Sequence, residues 1–186
     1  MPSKAVFFDR DKTIIMPNAD NYIYRVGDFY IPEKFTKALK TLYEKGYKLF
    51  VVTNQGRVAK GYMTEEDVVD VHNFINDHFK EHGFHFEQFA YCPHNPMGDV
   101  YPYNVVCSCR KPKNGMIKEL VDEYDIDISK SWMVGDTERD VIAGNMTGLK
   151  TILVRTGIRQ DSEKADFVVD DLVDAVEKIV ENDAVK

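Results

Sequence analysis

Ala5-Val6-Phe7-Phe8-Asp9-Arg10-Asp11-Lys12-Thr13 is the stretch that decides the fold. Four apolar residues bounded by Lys4 and Asp9 read as a short buried strand. Charge is costly inside such a run and cheap just past its end. The two carboxylates therefore mark the carboxyl end of the strand. An Asp-x-Asp placed there can hold Mg²⁺ and offer a carboxylate nucleophile to phosphorus, and open α/β sheets bind ligands at that edge. Asp also favours turns, so the tripeptide alone suits a structural turn as well.

Further along the chain, strand-like runs at 47–53, 88–92, 132–135, 151–154 and 167–169 alternate with helical patterns at 33–45, 64–82, 115–124, 139–146 and 172–180. In the first helical pattern Phe35, Leu39, Leu42 and Tyr43 recur at helical spacing. Thr64 followed by Glu65, Glu66 and Asp67 reads as a capped helix start. Gly46 and Gly83 sit where helices stop. This alternation predicts a parallel α/β sheet with helices on both faces. Two long irregular segments, 14–30 and 93–113, are expected to emerge near the first carboxylates and to shape a pocket with no separate cap domain.

At 186 residues the chain is expected to form one domain, 1–186. A net charge of −7 and a pI near 5.2 argue against a nucleic-acid partner or an anionic membrane surface. There is no signal-peptide pattern and no apolar run near the roughly 20 residues a membrane span needs, so a cytoplasmic location is expected.

Three later segments carry chemistry. Val52-Thr53-Asn54-Gln55-Gly56 is a strand ending in a hydroxyl, amides and free backbone N–H groups that can grip phosphate oxygens. Arg110-Lys111 puts two cations at the end of the second loop, where they could neutralise phosphate. Val134-Gly135-Asp136 ends another strand. Asp136 would complete a Mg²⁺ site with the first carboxylates, and Asp140, one helical turn on, would hydrogen-bond the site. Each segment has a bland explanation when taken singly: a polar strand end, a solvated basic pair, an acidic helix start.

The cysteines are Cys92, Cys107 and Cys109. An odd, clustered set suits a disulfide framework poorly. Cys92-x-His94 and Cys107-x-Cys109, twelve residues apart, offer the four soft ligands of a closed tetrahedral Zn²⁺ site. Four protein ligands leave no open position, so the zinc would be structural.

In order, Asp9-x-Asp11, Thr53-Asn54, Lys111 and Gly135-Asp136-x-x-x-Asp140 resemble the four motifs of the haloacid dehalogenase superfamily of phosphatases. Cys92-Pro93-His94 with Cys107-x-Cys109-Arg110-Lys111-Pro112 is similar to its zinc-containing heptose-bisphosphate and histidinol-phosphate phosphatase branch. The twelve-residue spacing, Asn114-Gly115-Met116 and Leu153-Val154-Arg155-Thr156-Gly157 look more like the heptose-bisphosphate type. The resemblance spans about 5–180.

That resemblance implies a Mg²⁺-dependent phosphatase of Rossmann-like fold with an aspartyl-phosphate intermediate. It would remove the 7-phosphate of heptose 1,7-bisphosphate in nucleotide-activated heptose biosynthesis. Asp9 would be the nucleophile and Asp11 the general acid and base. Asp9, the Asp11 backbone carbonyl and Asp136 would hold Mg²⁺. Thr53 and Lys111 would bind the transferring phosphoryl group, and Arg110 would recognise the substrate, with a second phosphate as a candidate group. Asp20, Asn21 and Tyr22 lie where the family's early substrate loop sits. The partner is a small phosphorylated sugar or metabolite, and the chain is expected to be a monomer, with a weak homodimer as the alternative. Other readings are a histidinol-phosphate phosphatase, another small sugar-phosphate phosphatase, or a non-catalytic zinc-stabilised binding protein. The chain departs from the family pattern at Lys12 (for Gly), at Gly56-Arg57 (for Ser-Gly), at Thr137 (for Lys) and in its early loop. These departures bear on the substrate more than on the reaction class.

Overall fold

The computed structural model describes residues 2–19, 22–158 and 160–184. In chain order the elements are β1 Ala5–Phe8, β2 Met16–Pro17, β3 Phe29–Tyr30, α1 Glu33–Glu44, β4 Lys48–Asn54, α2 Glu65–Glu81, β5 Gln88–Cys92, α3 Gly115–Glu123, β6 Trp132–Gly135, α4 Glu138–Thr147, β7 Lys150–Val154, β8 Phe167–Val169 and α5 Leu172–Ala184. The predicted strands and helices are all present, with ends displaced by a few residues.

Six strands form one sheet in the order β5-β4-β1-β6-β7-β8, and every neighbouring pair is parallel. Side chains alternate between its faces. Val6, Phe8, Val51, Val134 and Val154 join a core with residues of α1, α2 and α5. Ala5, Phe7, Phe50, Val52 and Met133 join a second core with residues of α3 and α4. Covering on both faces explains why the strands read as continuous apolar runs.

From β1 the chain winds outward to β4 and β5 on one side and to β6, β7 and β8 on the other. The strand order therefore reverses beside β1, which opens a crevice at the carboxyl ends of β1, β4 and β6. Phe8 pairs with Val51 of β4 and Val134 of β6, and the Asp9 N–H donates to the Val134 carbonyl at 2.9 Å. Register alone thus brings the ends of the three motif-bearing strands together.

The segment 14–30 is less irregular than expected. β2 and β3 pair antiparallel, Met16 with Tyr30 and Pro17 with Phe29. Two residues per strand, one of them a proline without an N–H, leave little alternation to read. Lys12 has φ +60°, a left-handed conformation that favours glycine, and its carbonyl accepts from the Thr156 hydroxyl. Among the described residues no separate cap domain is inserted. Pro17, Tyr22 and Ile23 of the first loop and Asn95, Arg110 and Lys111 of the second line the crevice directly.

Candidate active site

Lys111 is the hub of the crevice. It is almost fully buried, and its Nζ donates to Asp9 Oδ1 at 2.9 Å and to Asp140 Oδ1 at 2.5 Å. Its backbone is fixed to β4 by a two-point contact. Asn54 Nδ2 donates to the Lys111 carbonyl and the Lys111 N–H donates to Asn54 Oδ1, both at 2.9 Å. Lys111 is therefore not a solvated surface cation. Burial opposes its charge, but Asp140 and Asp9 outweigh that and raise the Lys111 amine above its usual range.

Asp9 follows β1, Thr53 lies near the end of β4, Asp136 follows β6, and Asp140 is in the first turn of α4. Burial pushes the Asp9 carboxyl up, but the Lys111 charge and hydrogen bond prevail and hold it below the usual carboxylate range. Burial, then Asp9, then Asp140 push Asp136 up to about 8. Burial also raises Asp140. Yet its contacts are all donors: Lys111 on Oδ1, and on Oδ2 the Thr137 N–H at 2.9 Å and hydroxyl at 2.7 Å. That is how an ionised carboxylate is held. Both Asp140 oxygens are occupied, one of them by the lysine.

Oxygens of Asp9, Asp136 and Asp140 lie within 4.8 Å of one another. Three crowded carboxylates face one ammonium. A divalent cation supplies the two missing positive charges, so the donor set fits Mg²⁺. The Asp11 side chain is outside this cluster, which leaves its backbone carbonyl as the group available to a metal.

Asp11 is held by Arg10, a residue to which sequence reasoning gave no role. Arg10 is fully buried, and its Nε and Nη2 donate to the two Asp11 oxygens at 2.7 and 3.2 Å. Gln55 Nε2 reaches Asp11 Oδ2 at 3.3 Å and Thr53 Oγ1 at 2.9 Å. Behind Arg10, His72 of α2 stands with Nε2 3.2 Å from Arg10 Nη1. Burial, then the Arg10 charge, press the His72 ring down to about 2, so it is neutral and accepts from the guanidinium. No local signal ties His72 to Arg10, 62 positions away. A free histidine gains its proton below about 6.5, whereas the folded one resists to about 2. The unfolded chain therefore binds the extra proton, and stability falls as pH drops from about 6.5, by up to roughly 1.4 kcal/mol per pH unit. His72→Gln keeps an acceptor but cannot ionise. Thermal melts of this variant should lose less stability between pH 7 and pH 5 than those of the parent.

Gly157, in the loop after β7, lies against Asp136. A Cβ there would sit 2.2 Å from Asp136 Oδ2 and 2.8 Å from its Cγ. Gly157→Ala should displace that carboxylate. The expected result is weaker Mg²⁺ activation and a roughly 10- to 100-fold lower kcat/KM, read from steady-state kinetics across a Mg²⁺ titration.

The four sulfur and nitrogen ligands also converge. Cys92, His94, Cys107 and Cys109 offer atoms that all lie within 4.8 Å of one another. Sulfur separations of 3.1 Å (Cys92–Cys109), 3.2 Å (Cys107–Cys109) and 3.5 Å (Cys92–Cys107) are too long for a disulfide. His94 Nδ1 lies 3.4 Å from Cys109 Sγ. Three sulfurs and one imidazole nitrogen around a common centre fit tetrahedral zinc.

Arg110 lines the crevice, its Nη1 donating to the His94 carbonyl at 3.0 Å. Gly56 and Tyr22 also line it, whereas Asp20 and Asn21 lie outside the described residues. The space enclosed is about 370 Å³, the size of a small-molecule site.

A family model described as HAD-hydrolase-like matches residues 108–175. The D-glycero-beta-D-manno-heptose-1,7-bisphosphate 7-phosphatase of Haemophilus ducreyi is 41% identical over 182 residues, covering 95% of this chain and 98% of that protein. The chain belongs to the haloacid dehalogenase-like phosphatases. The phosphatase of the same printed name from Escherichia coli K12 is 35% identical over 180 residues, 94% of this chain and 93% of the relative. A Photorhabdus laumondii relative named for the alpha anomer is 32% identical over 180 residues, covering 96% and 97%. The fold matches the crystal structure of D,D-heptose 1,7-bisphosphate phosphatase from B. bronchiseptica complexed with magnesium and phosphate, with a TM-score of 0.82, 24% identity and coverage of 96% and 99%. This phosphatase is thus a phosphoric monoester hydrolase.

Proposed function

We propose that this phosphatase removes the 7-phosphate of D-glycero-D-manno-heptose 1,7-bisphosphate, as a step towards nucleotide-activated heptose. The observation that carries the reading is the buried Lys111 bridging Asp9 and Asp140 in a chain 41% identical to a relative of that name. Lys111 spends two of its three donors on those carboxylates, which leaves the third for a phosphoryl oxygen. Thr53 supplies a hydroxyl beside it. An Asp9 oxygen attacks phosphorus in line with the leaving sugar oxygen, forming an aspartyl-phosphate as the ester bond breaks. Asp11, positioned by Arg10 and Gln55, gives that oxygen its proton. It then takes a proton from water as the water attacks phosphorus and the Asp9–phosphorus bond breaks. Asp9, the Asp11 carbonyl and Asp136 would hold Mg²⁺, which would supply positive charge for a phosphate dianion beside these carboxylates.

Arg110 recognises the substrate, and among the described residues Asn54, Gln55, Gly56 and Tyr22 complete the binding surface. The protein works as one domain, 1–186, and as a monomer in the cytoplasm. Among the described residues no helix is long and apolar enough to cross a membrane. The test is phosphate release with Mg²⁺ from both anomers of heptose 1,7-bisphosphate, with histidinol phosphate alongside. A kcat/KM at least tenfold higher on a heptose anomer supports the reading and fixes the anomer; faster turnover of histidinol phosphate overturns it.

A further inference from the structure

The chain carries a net charge of −7, yet Lys12, Arg57, Lys60, Arg110 and Arg139 all line the crevice. Among the described residues none of the five forms an ion pair. Excess cation gathered at one mouth of an acidic protein marks a site for an anion. One of the five is also built into place. The Arg57 guanidinium lies over the Tyr22 ring, its Cζ 3.4 Å from the centroid, with the Tyr62 ring at 5.3 Å. Tyr24 links those two rings, 6.3 Å from each.

The backbone is fixed as well. The Arg57 carbonyl accepts from the N–H groups of Lys60 (3.2 Å) and Tyr62 (3.1 Å), and Val58 and Ala59 behind it are buried. The loop 22–24 and the turn 57–62 therefore meet at this arginine and at the Tyr24–Tyr62 ring pair.

Stacking occupies the face of a guanidinium and leaves its in-plane N–H donors free. That edge matches two oxygens of a phosphate, and a stacked arginine has already lost the side-chain freedom that binding would otherwise cost. Arg110 is less free, because one Nη1–H is committed to the His94 carbonyl. Lys111 is enclosed at the carboxylate cluster, where the phosphoryl group under attack must sit. A second phosphate on the same substrate must then lie elsewhere along the crevice wall.

We propose that Arg57, held on Tyr22 and Tyr62, receives the phosphate that is not cleaved and so selects sugar bisphosphates over monophosphates. This assignment rests on the bisphosphatase reading above.

The experiment compares kcat/KM on heptose 1,7-bisphosphate and heptose 7-phosphate for the wild-type enzyme and for Arg57→Gln, Arg57→Lys and Tyr22→Leu. The wild-type enzyme should favour the bisphosphate. Arg57→Gln should cut kcat/KM on the bisphosphate roughly 10- to 100-fold, mainly through KM, and leave the monophosphate within about twofold. Arg57→Lys should recover part of the loss, keeping charge without the forked geometry. Tyr22→Leu should raise KM for the bisphosphate more than for the monophosphate. Equal losses on both substrates, an unchanged preference in Arg57→Gln, or a wild-type enzyme that cleaves both equally would each overturn the assignment while leaving the bisphosphatase reading standing. A wild-type enzyme that cleaves neither sinks that reading, and this one with it.

Discussion

Replacing Asp9 by Asn should abolish phosphate release, by at least on the order of 10³-fold, while leaving the fold intact. An amide has nearly the shape of a carboxylate but does not attack phosphorus. The structural cost is small for a reason specific to this site. Lys111 keeps Asp140 at 2.5 Å as a partner, so no buried charge is left unpaired. Asp9 is also among the groups that, after burial, push Asp136 up to about 8. Removing its charge relieves that crowding. In metal-free buffer the variant should melt at the parent temperature or above it, and it should respond less to added Mg²⁺, having lost a ligand. Lys111→Ala makes the contrast. It leaves Asp9 and Asp140 buried without their shared cation, so it should lose both activity and several degrees of melting temperature. Phosphate release and thermal melts on the two variants check this. Asp9→Asn with more than a few per cent of parental turnover would remove Asp9 from the nucleophile's place.

How much of this was legible in the sequence depends on the distance over which each feature is encoded. β1, β4 and β6 were readable because each is an apolar run ended by a polar motif. Parallel pairing then carried Asp9, Thr53 and Asp136 to one edge without further information. Cys92, His94, Cys107 and Cys109 were readable because ligand type and spacing survive in one dimension. The Asp11–Arg10–His72 chain was not. His72 sits on a helix whose pattern marks it only as one of the inward positions, and a buried histidine there is unremarkable. Gly157 against Asp136 was equally hidden, since nothing in a glycine says which backbone or carboxylate it admits. Lys12 marked a departure from a glycine, and its left-handed backbone, φ +60°, is visible only in the structure. Arg57 stood out as an added cation, but the rings that hold it belong to two separate loops.

Emptying the Cys92, His94, Cys107 and Cys109 cluster, whose ligands fit zinc, should weaken substrate binding more than it slows the chemical step. Cys92 ends β5, inside the core beneath α3, and the segment 93–113 leaves the sheet there with little regular structure of its own. The four-ligand cluster closes that excursion, and a structural zinc contributes its binding energy directly to the order of such a segment. The two cations after Cys109 are anchored differently. Arg110 hangs on the His94 carbonyl, within the metal loop itself, so its place is lost when the ligands part. Lys111 is also tied to β4 through both bonds to Asn54 and to Asp9 and Asp140 through its ammonium, none of which depends on the metal. Chelation followed by assay in excess Mg²⁺, or Cys107→Ser, should therefore lower the melting temperature by several degrees or more and raise KM roughly tenfold or more, with kcat falling less. Metal content measured by elemental analysis on the same samples ties the effect to zinc. Verified loss of zinc with an unchanged melting temperature and KM would mean that the loop is held by its packing on the second core. A fall in kcat as large as the rise in KM would mean that Lys111, despite Asn54, moves with its neighbour.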